Sequence, residues 1–466
     1  MGRRKPPPPN GPGLFDEQER HLERRIRRQR ALFIPRLLRE AAATFQLQGT
    51  EQETAYQIAI RWANLETSGH LPGYKETSID TQFLDQLFGE GLGYRVKTSS
   101  PDTWELEHKL AVPGVGTADA GLGEFPESGE PTAVVELKGA MTDLDRDRSN
   151  GRTAVQQCWD YLNALPGCPW GIVSNFKTIR LYHRSKGTLA YEEFTLQELR
   201  KRERFDEFYC LFERGGLLPS RLGQQPRALR LLQQTAERQK EVGDDLYMAY
   251  QWRRLELIEH LNRHEGKSLD EAIRIAQKIL DRIIFIAFCE DRGLLPEKSL
   301  EATQQDIRTY SRAKNPAWEN FLDLFTAIDK GAKGKREITA FNGGLFTDDP
   351  EINALELASE KWTNAFVGFG RYDFSEEVNV EVLGHLFERS ITELEKLRVG
   401  GLFALHANLA DVAGNGGAAT TPRKGKQAKA AANESPLSKM PKSAQRKRFG
   451  IYYTPPAFTG LIVERT

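Results

Sequence analysis

The residues of this chain best suited to chemistry lie close together: Asp119 in GTADAG (116–121), then Glu136 and Lys138 in AVVELKG (133–139). Val134 and Val135 make this last run short, apolar and β-branched, which predicts a buried strand. Side chains alternate across a strand, so Glu136 and Lys138 share a face while Leu137 turns into the core. A carboxylate and an amine on an otherwise apolar strand need a reason, because burying charge without a partner is costly. A metal site supplies one: Asp119 and Glu136 offer hard oxygen ligands for Mg²⁺, and Lys138 steadies an attacking water or a phosphate. These are the residue types of a metal-dependent phosphodiesterase, in which the ion polarises the scissile phosphate and the lysine offsets charge building on phosphorus. The pattern is short, and a Glu136–Lys138 ion pair on an exposed edge strand accounts for the same two residues.

Several elements must position this set. Glu76–Leu92 (ETSIDTQFLDQLFGEGL) spaces Phe83, Leu84, Leu87 and Phe88 as one helix, stopped by GLGY and followed by strand-like YRVKT. WELEHKLAV (104–112), GTADAGLG and AVVELKG follow as strands in hairpin succession, with a polar loop at 124–131. After the charged loop 142–152, TAVQQCWDYLNAL is a helix that sets Gln157 and Tyr161 four apart on one face, where packing alone also favours an aromatic. WGIVSNFKTIRLYHR (170–184) is two strands joined by a turn at 174–178. The order is that of an α+β domain around a small sheet. A boundary is expected around 194–216, and from there to about Leu397 the periodicity is helical, with long helices at 246–264 and 269–289 and further segments at FNGGLF (341–346) and EVLGHLFERSITELEKL (381–397).

Taken together, these elements resemble the PD-(D/E)xK nuclease fold, in the version found in type I and type IIG restriction enzymes. The resemblance implies that Asp119, Glu136 and Lys138 are catalytic, with Asp119 and Glu136 holding Mg²⁺ and with Glu76, Gln157 and Tyr161 as accessories. Ala118 stands where the family's name has proline. LDRIIFIAFCEDRGLLP, FNGGLF and EVLGHLFE are similar to the connector region of type IIG enzymes. RKRFGIYYTP (446–455) resembles motif X of adenine-N6 DNA methyltransferases, which helps enclose S-adenosylmethionine and would assign Tyr452, Tyr453, Thr454 and Pro455 to that cofactor. The family's later (N/D)PPY tetrapeptide, which holds a flipped adenine, does not occur in the sequence.

The domain plan expected is therefore a basic tail and helix over 1–50, an α+β PD-(D/E)xK nuclease-like domain over 51–200 and a mostly α-helical connector over 217–404. A flexible basic linker over 405–445 and the first element of an α/β methyltransferase domain over 446–466 complete it. The function implied is the Mg²⁺-dependent DNA endonuclease part of a type IIG-like restriction–modification enzyme, serving phage defence, with an incomplete methyltransferase domain. Such a chain is expected to be the N-terminal part of a longer or split enzyme. It would bind double-stranded DNA, and S-adenosylmethionine would serve only if the missing methyltransferase part were supplied, a separate chain carrying it and the target-recognition domain being one way. The alternative is a non-cleaving DNA-binding or scaffold subunit, or a fragment of a site-specific adenine methyltransferase that needs a partner chain.

Composition excludes less than position does. Lys plus Arg and Asp plus Glu are balanced at 65 each, so net charge does not itself point to nucleic acid; the basic residues gather in the first forty residues and at 423–448. A helix over 15–45 fits a phosphate backbone or plain solvent equally. The four cysteines (Cys158, Cys168, Cys210, Cys289) form no CxxC pair, which argues against zinc or a disulfide framework. His70, His108, His183 and His385 stand at no metal-ligand spacing, and no helix follows GVGTADAGLG to bind a dinucleotide. No apolar run reaches the ~20 residues of a membrane helix, and the Pro/Gly-rich start lacks a signal peptide's apolar core, so a cytoplasmic protein is expected.

Overall fold

The computed structural model describes residues 30–45 and 50–378, apart from 75, 127–130, 221–222, 308–311, 335 and 342–343, and single positions as far as Leu397. Side chains at 72, 76–78 and 359 also lie outside the described residues. So do most of 1–50, the expected linker over 405–445, and the expected cofactor residues Tyr452, Tyr453, Thr454 and Pro455. The chain divides into two compact units between Glu237 and Arg238.

The first unit is α+β. Its helices α1 (Pro35–Thr44), α2 (Glu51–Thr67) and α3 (Glu76–Phe83) precede strands β1 (Trp104–Val112), β2 (Gly116–Phe125) and β3 (Ala133–Leu137). Helix α4 (Ala154–Ala164) then leads to β4 (Trp170–Ser174), β5 (Thr178–His183) and β6 (Tyr191–Thr195), and α5 (Arg202–Phe212) follows. The six strands lie in sequence order in one mixed sheet. Every neighbouring pair is antiparallel except β3 and β4, which are parallel and joined through α4. A parallel pair needs such a crossover, whereas antiparallel neighbours need only a turn.

β3 is buried along its whole length, because both faces of the sheet are covered. Ala133, Val135 and Leu137 join the core beneath α2, α3 and α5, while Val134 joins the smaller core beneath α4. Trp62 of α2 meets Phe83 of α3 edge-on at 4.9 Å, and Phe83 meets Phe176 of the β4–β5 turn at 5.2 Å, which fixes α3 against the sheet. On the other face α4 approaches closely at Gly171 of β4, where a Cβ would stand 2.6 Å from Cys158 Sγ and 3.1 Å from Leu162 Cδ1. Thr153 caps α4 in a reciprocal box with Gln156, so the helix starts at a defined residue after the charged loop.

Three local expectations change. The helix expected over 76–92 is α-helical to Phe83 and continues as a wider π-turn segment from Leu84 to Gly91. YRVKT contributes one bridge, Val96 to Leu106, rather than a strand. The first unit runs on past the boundary expected at 194–216, because Phe205, Phe208, Tyr209 and Phe212 of α5 belong to the sheet's core together with Leu231 and Leu232.

Helix α6 (Arg227–Arg263, 37 residues) carries the chain into the second unit, which is helical among its described residues. α7 (Leu269–Asp291) starts at a Ser268/Glu271 capping box and buries Ile275, Ile279, Ile283 and Ile286. α8 (Ser299–Gln305) and α9 (Pro316–Lys330) follow, and Trp318 and Phe321 of α9 pack in the same core. The buried Arg282 donates to the carbonyls of Leu345 and Thr347 at 2.9 and 2.8 Å, pinning that loop to α7.

Candidate active site

Asp119, Glu136 and Lys138 come together where β2 and β3 lie side by side. The backbone N–H of Leu137 donates to Asp119 Oδ2 at 2.7 Å, which sets the Asp119 carboxylate against the Glu136–Lys138 stretch. Glu136 is almost wholly buried, and its Oε1 accepts from Lys138 Nζ in a very short contact. Lys138 lies one residue beyond β3, and its N–H still donates to Ser174 O at 2.8 Å, so the parallel pairing with β4 holds its backbone. The following loop is tied down by Asn175, whose side-chain amide donates to Thr142 O at 2.9 Å.

The helix α4 adds the two accessory residues. Gln157 Nε2 donates to Tyr161 Oη at 2.8 Å, and Tyr161 Oη donates to Thr117 O at 2.9 Å, two residues before Asp119. Burial pushes the Tyr161 phenol up, the Gln157 hydrogen bond works against that, and the charges of Glu136 and Asp119 add to it. Burial likewise raises the Cys158 thiol well above its ordinary range, with Glu136 contributing. Tyr161 and Cys158 thus both lie in the field of the buried carboxylate.

Glu76 opens α3, but its side chain lies outside the described residues. The α3 acid linked to the cluster is Asp80, one helical turn later and buried. Lys109 of β1 makes the link: its ammonium lies 3.2 Å from Asp80 Oδ2 and 2.6 Å from Asp119 Oδ1. Burial opposes its charge, yet the hydrogen bonds and charges of Asp119 and Asp80 together hold Lys109 above the ordinary lysine range. Sequence reading missed both residues. Asp80 shares the helix face of Glu76 by its i,i+4 spacing. Lys109 falls opposite Asp119 in the register that pairs His108 with Ala120 and Leu110 with Ala118.

Two adjacent carboxylates are a donor set that fits Mg²⁺, which is commonly held by one or two carboxylates, waters and a substrate phosphate. Among the described residues no group of three or more His, Cys, Asp or Glu is arranged to hold a metal.

Fold and site together define an α+β protein, with a mixed sheet, that carries a carboxylate–lysine cluster on neighbouring strands. Over 160 residues the chain is 29% identical to a Methanocaldococcus jannaschii protein provisionally named a type II restriction enzyme and methyltransferase. The match covers 28% of this chain and 13% of that protein. No family model and no solved structure matches this chain. Among the described residues no helix is long and apolar enough to cross a membrane.

Proposed function

We propose that the first unit is a Mg²⁺-dependent DNA endonuclease of the PD-(D/E)xK kind, serving a type IIG-like restriction–modification enzyme. The observation that carries this reading is the Leu137–Asp119 hydrogen bond, which brings Asp119 alongside the Glu136–Lys138 pair. In this reading Asp119 and Glu136 hold the ion, which when bound supplies a polarised phosphate and a more acidic water. Lys138 orients the attacking water and offsets the negative charge that develops on the phosphoryl oxygens. The water oxygen gives up a proton and forms a bond to phosphorus, the bond to one bridging oxygen breaks, and that oxygen takes up a proton from solvent in its place, so one water is added overall. Gln157 and Tyr161 keep the Thr117–Asp119 segment in place.

Double-stranded DNA is the substrate in this account. S-adenosylmethionine would enter it, through Tyr452, Tyr453, Thr454 and Pro455, only together with the methyltransferase motifs that follow motif X in that family. The test is metal removal: chelation should stop plasmid cleavage, and added Mg²⁺ should restore it to wild type but not to Asp119→Asn. Cleavage that survives chelation would contradict the reading.

A second reading is favoured by the ion pairs themselves. Asp119 and Glu136 each touch an ammonium, Lys109 and Lys138, as in a structural ion-pair cluster. Such a cluster suits a non-cleaving DNA-binding or scaffold subunit, for which DNA binding persists in Asp119→Asn with no cleavage by either protein.

A further inference from the structure

Lys109 is a cation of this cluster that the reaction above does not use. It sits within β1 with φ of 50°, a left-handed conformation that residues other than glycine seldom adopt in a strand. This backbone turn accompanies an ammonium placed between two acids, Asp119 Oδ1 at 2.6 Å and Asp80 Oδ2 at 3.2 Å. The other oxygen of Asp119 already accepts from Leu137 N–H. A divalent ion approaching Asp119 therefore meets a cation at the remaining oxygen, and like charges at contact distance repel. A backbone N–H at the far oxygen presents no such conflict, since ligating carboxylates are commonly hydrogen-bonded themselves. Asp80 is fixed, with a side chain 3% exposed, whereas the Lys109 side chain is 56% exposed and can swing into solvent without crossing the core.

We propose, resting on the metal-dependent reading above, that Lys109 is an internal counter-cation that competes with the divalent metal for Asp119. Its ammonium leaves Asp119 when the metal binds, so in the DNA-free protein Lys109 keeps metal affinity low. Once displaced, the same ammonium is free to meet a DNA phosphate, which couples metal loading to the arrival of substrate.

Calorimetric titration of the full chain with MgCl₂, without DNA, tests this. Lys109→Met should bind Mg²⁺ about three- to tenfold more tightly than wild type, the scale of one partly exposed ion pair, while Lys109→Arg stays near wild type. Because Lys109→Met also takes an ammonium away from the buried Asp80, Asp80→Asn/Lys109→Met is titrated alongside, with melting curves to check folding, and the same gain is expected. Binding by the Lys109 variants where wild type shows none would also support the proposal. If wild type binds, Asp119→Asn does not, and the folded Lys109 variants bind no tighter than wild type, the Lys109 inference fails while the metal site stands. If no protein binds Mg²⁺, the Lys109 inference fails, while the chelation test of plasmid cleavage decides the metal-dependent reading separately.

Discussion

Asp119 uses both carboxylate oxygens, one toward Leu137 N–H and one toward Lys109, and this double engagement ties three strands to one side chain. Glu136 is the costlier residue, because a buried carboxylate is tolerated only with a partner, and Lys138 is that partner. That Asp119, Glu136 and Lys138 would lie close together was legible from residue type and spacing. Asp80 and Lys109 were not, since their roles depend on the helix–sheet packing and on the hairpin register. Tyr161 reaches the site through its hydroxyl, so Tyr161→Phe keeps the ring's packing and removes both the donor to Thr117 O and the acceptor for Gln157. The expected cost is about 1 kcal/mol, measured by urea unfolding, with a several-fold fall in cleavage rate. An unchanged midpoint and rate would assign Tyr161 to packing alone.

Among the elements, α4 decides how the site closes, because its distance from the sheet is set by the absent side chain of Gly171. In Gly171→Ala the new methyl would press on Cys158 Sγ and Leu162 Cδ1, so these side chains or the helix that carries them must shift. Overpacking of this kind costs roughly 1–3 kcal/mol, and here it should also lower cleavage more than it lowers DNA binding, since Gln157 and Tyr161 ride on that helix. Equal losses of binding and cleavage would contradict that placement. The glycine stood in the strand run without local sign of this duty, because the helix it receives is about ten residues away in sequence.

In the second unit, Glu290 near the end of α7 is buried and accepts from Leu300 N–H of α8 at 3.0 Å. Burial pushes its carboxyl up to about 7, with Asp291 adding to the rise and the Leu300 and Ser299 N–H groups and Arg336 opposing it. The folded state therefore favours the protonated acid. Its contribution to stability is fully present below the ordinary glutamate range, about pH 4, and is lost as pH rises through about 7. Glu290→Gln keeps an acceptor for Leu300 and removes the charge. It should be more stable than wild type at pH 8 by about 1–2 kcal/mol and nearly equal at pH 4, as read from melting of the second unit's helices. A variant less stable than wild type at pH 8 would contradict this sign.

At the scale of the whole molecule, the α+β character and the hairpin order of β1, β2 and β3 followed from period and turn residues. The parallel pairing of β3 with β4 did not, because nothing local to AVVEL or WGIVS marks which strand lies beside it. The unit boundary also shifted, since the aromatic face of α5 completes the sheet's core although its sequence looks like the start of the helical region. The likeness to a restriction enzyme and methyltransferase spans 13% of that protein, so the parts of the account that reach furthest, metal, cleavage and cofactor, rest on the site itself.

The central claim is that Asp119, Glu136 and Lys138 cut DNA. The most direct test compares wild type with Glu136→Ala and Lys138→Ala on unmethylated plasmid, with Mg²⁺, with and without S-adenosylmethionine, after melting curves show that all three fold. The account predicts nicking or linearisation by wild type and losses of at least about a hundredfold in both variants. Cleavage by either variant at the wild-type rate would contradict it.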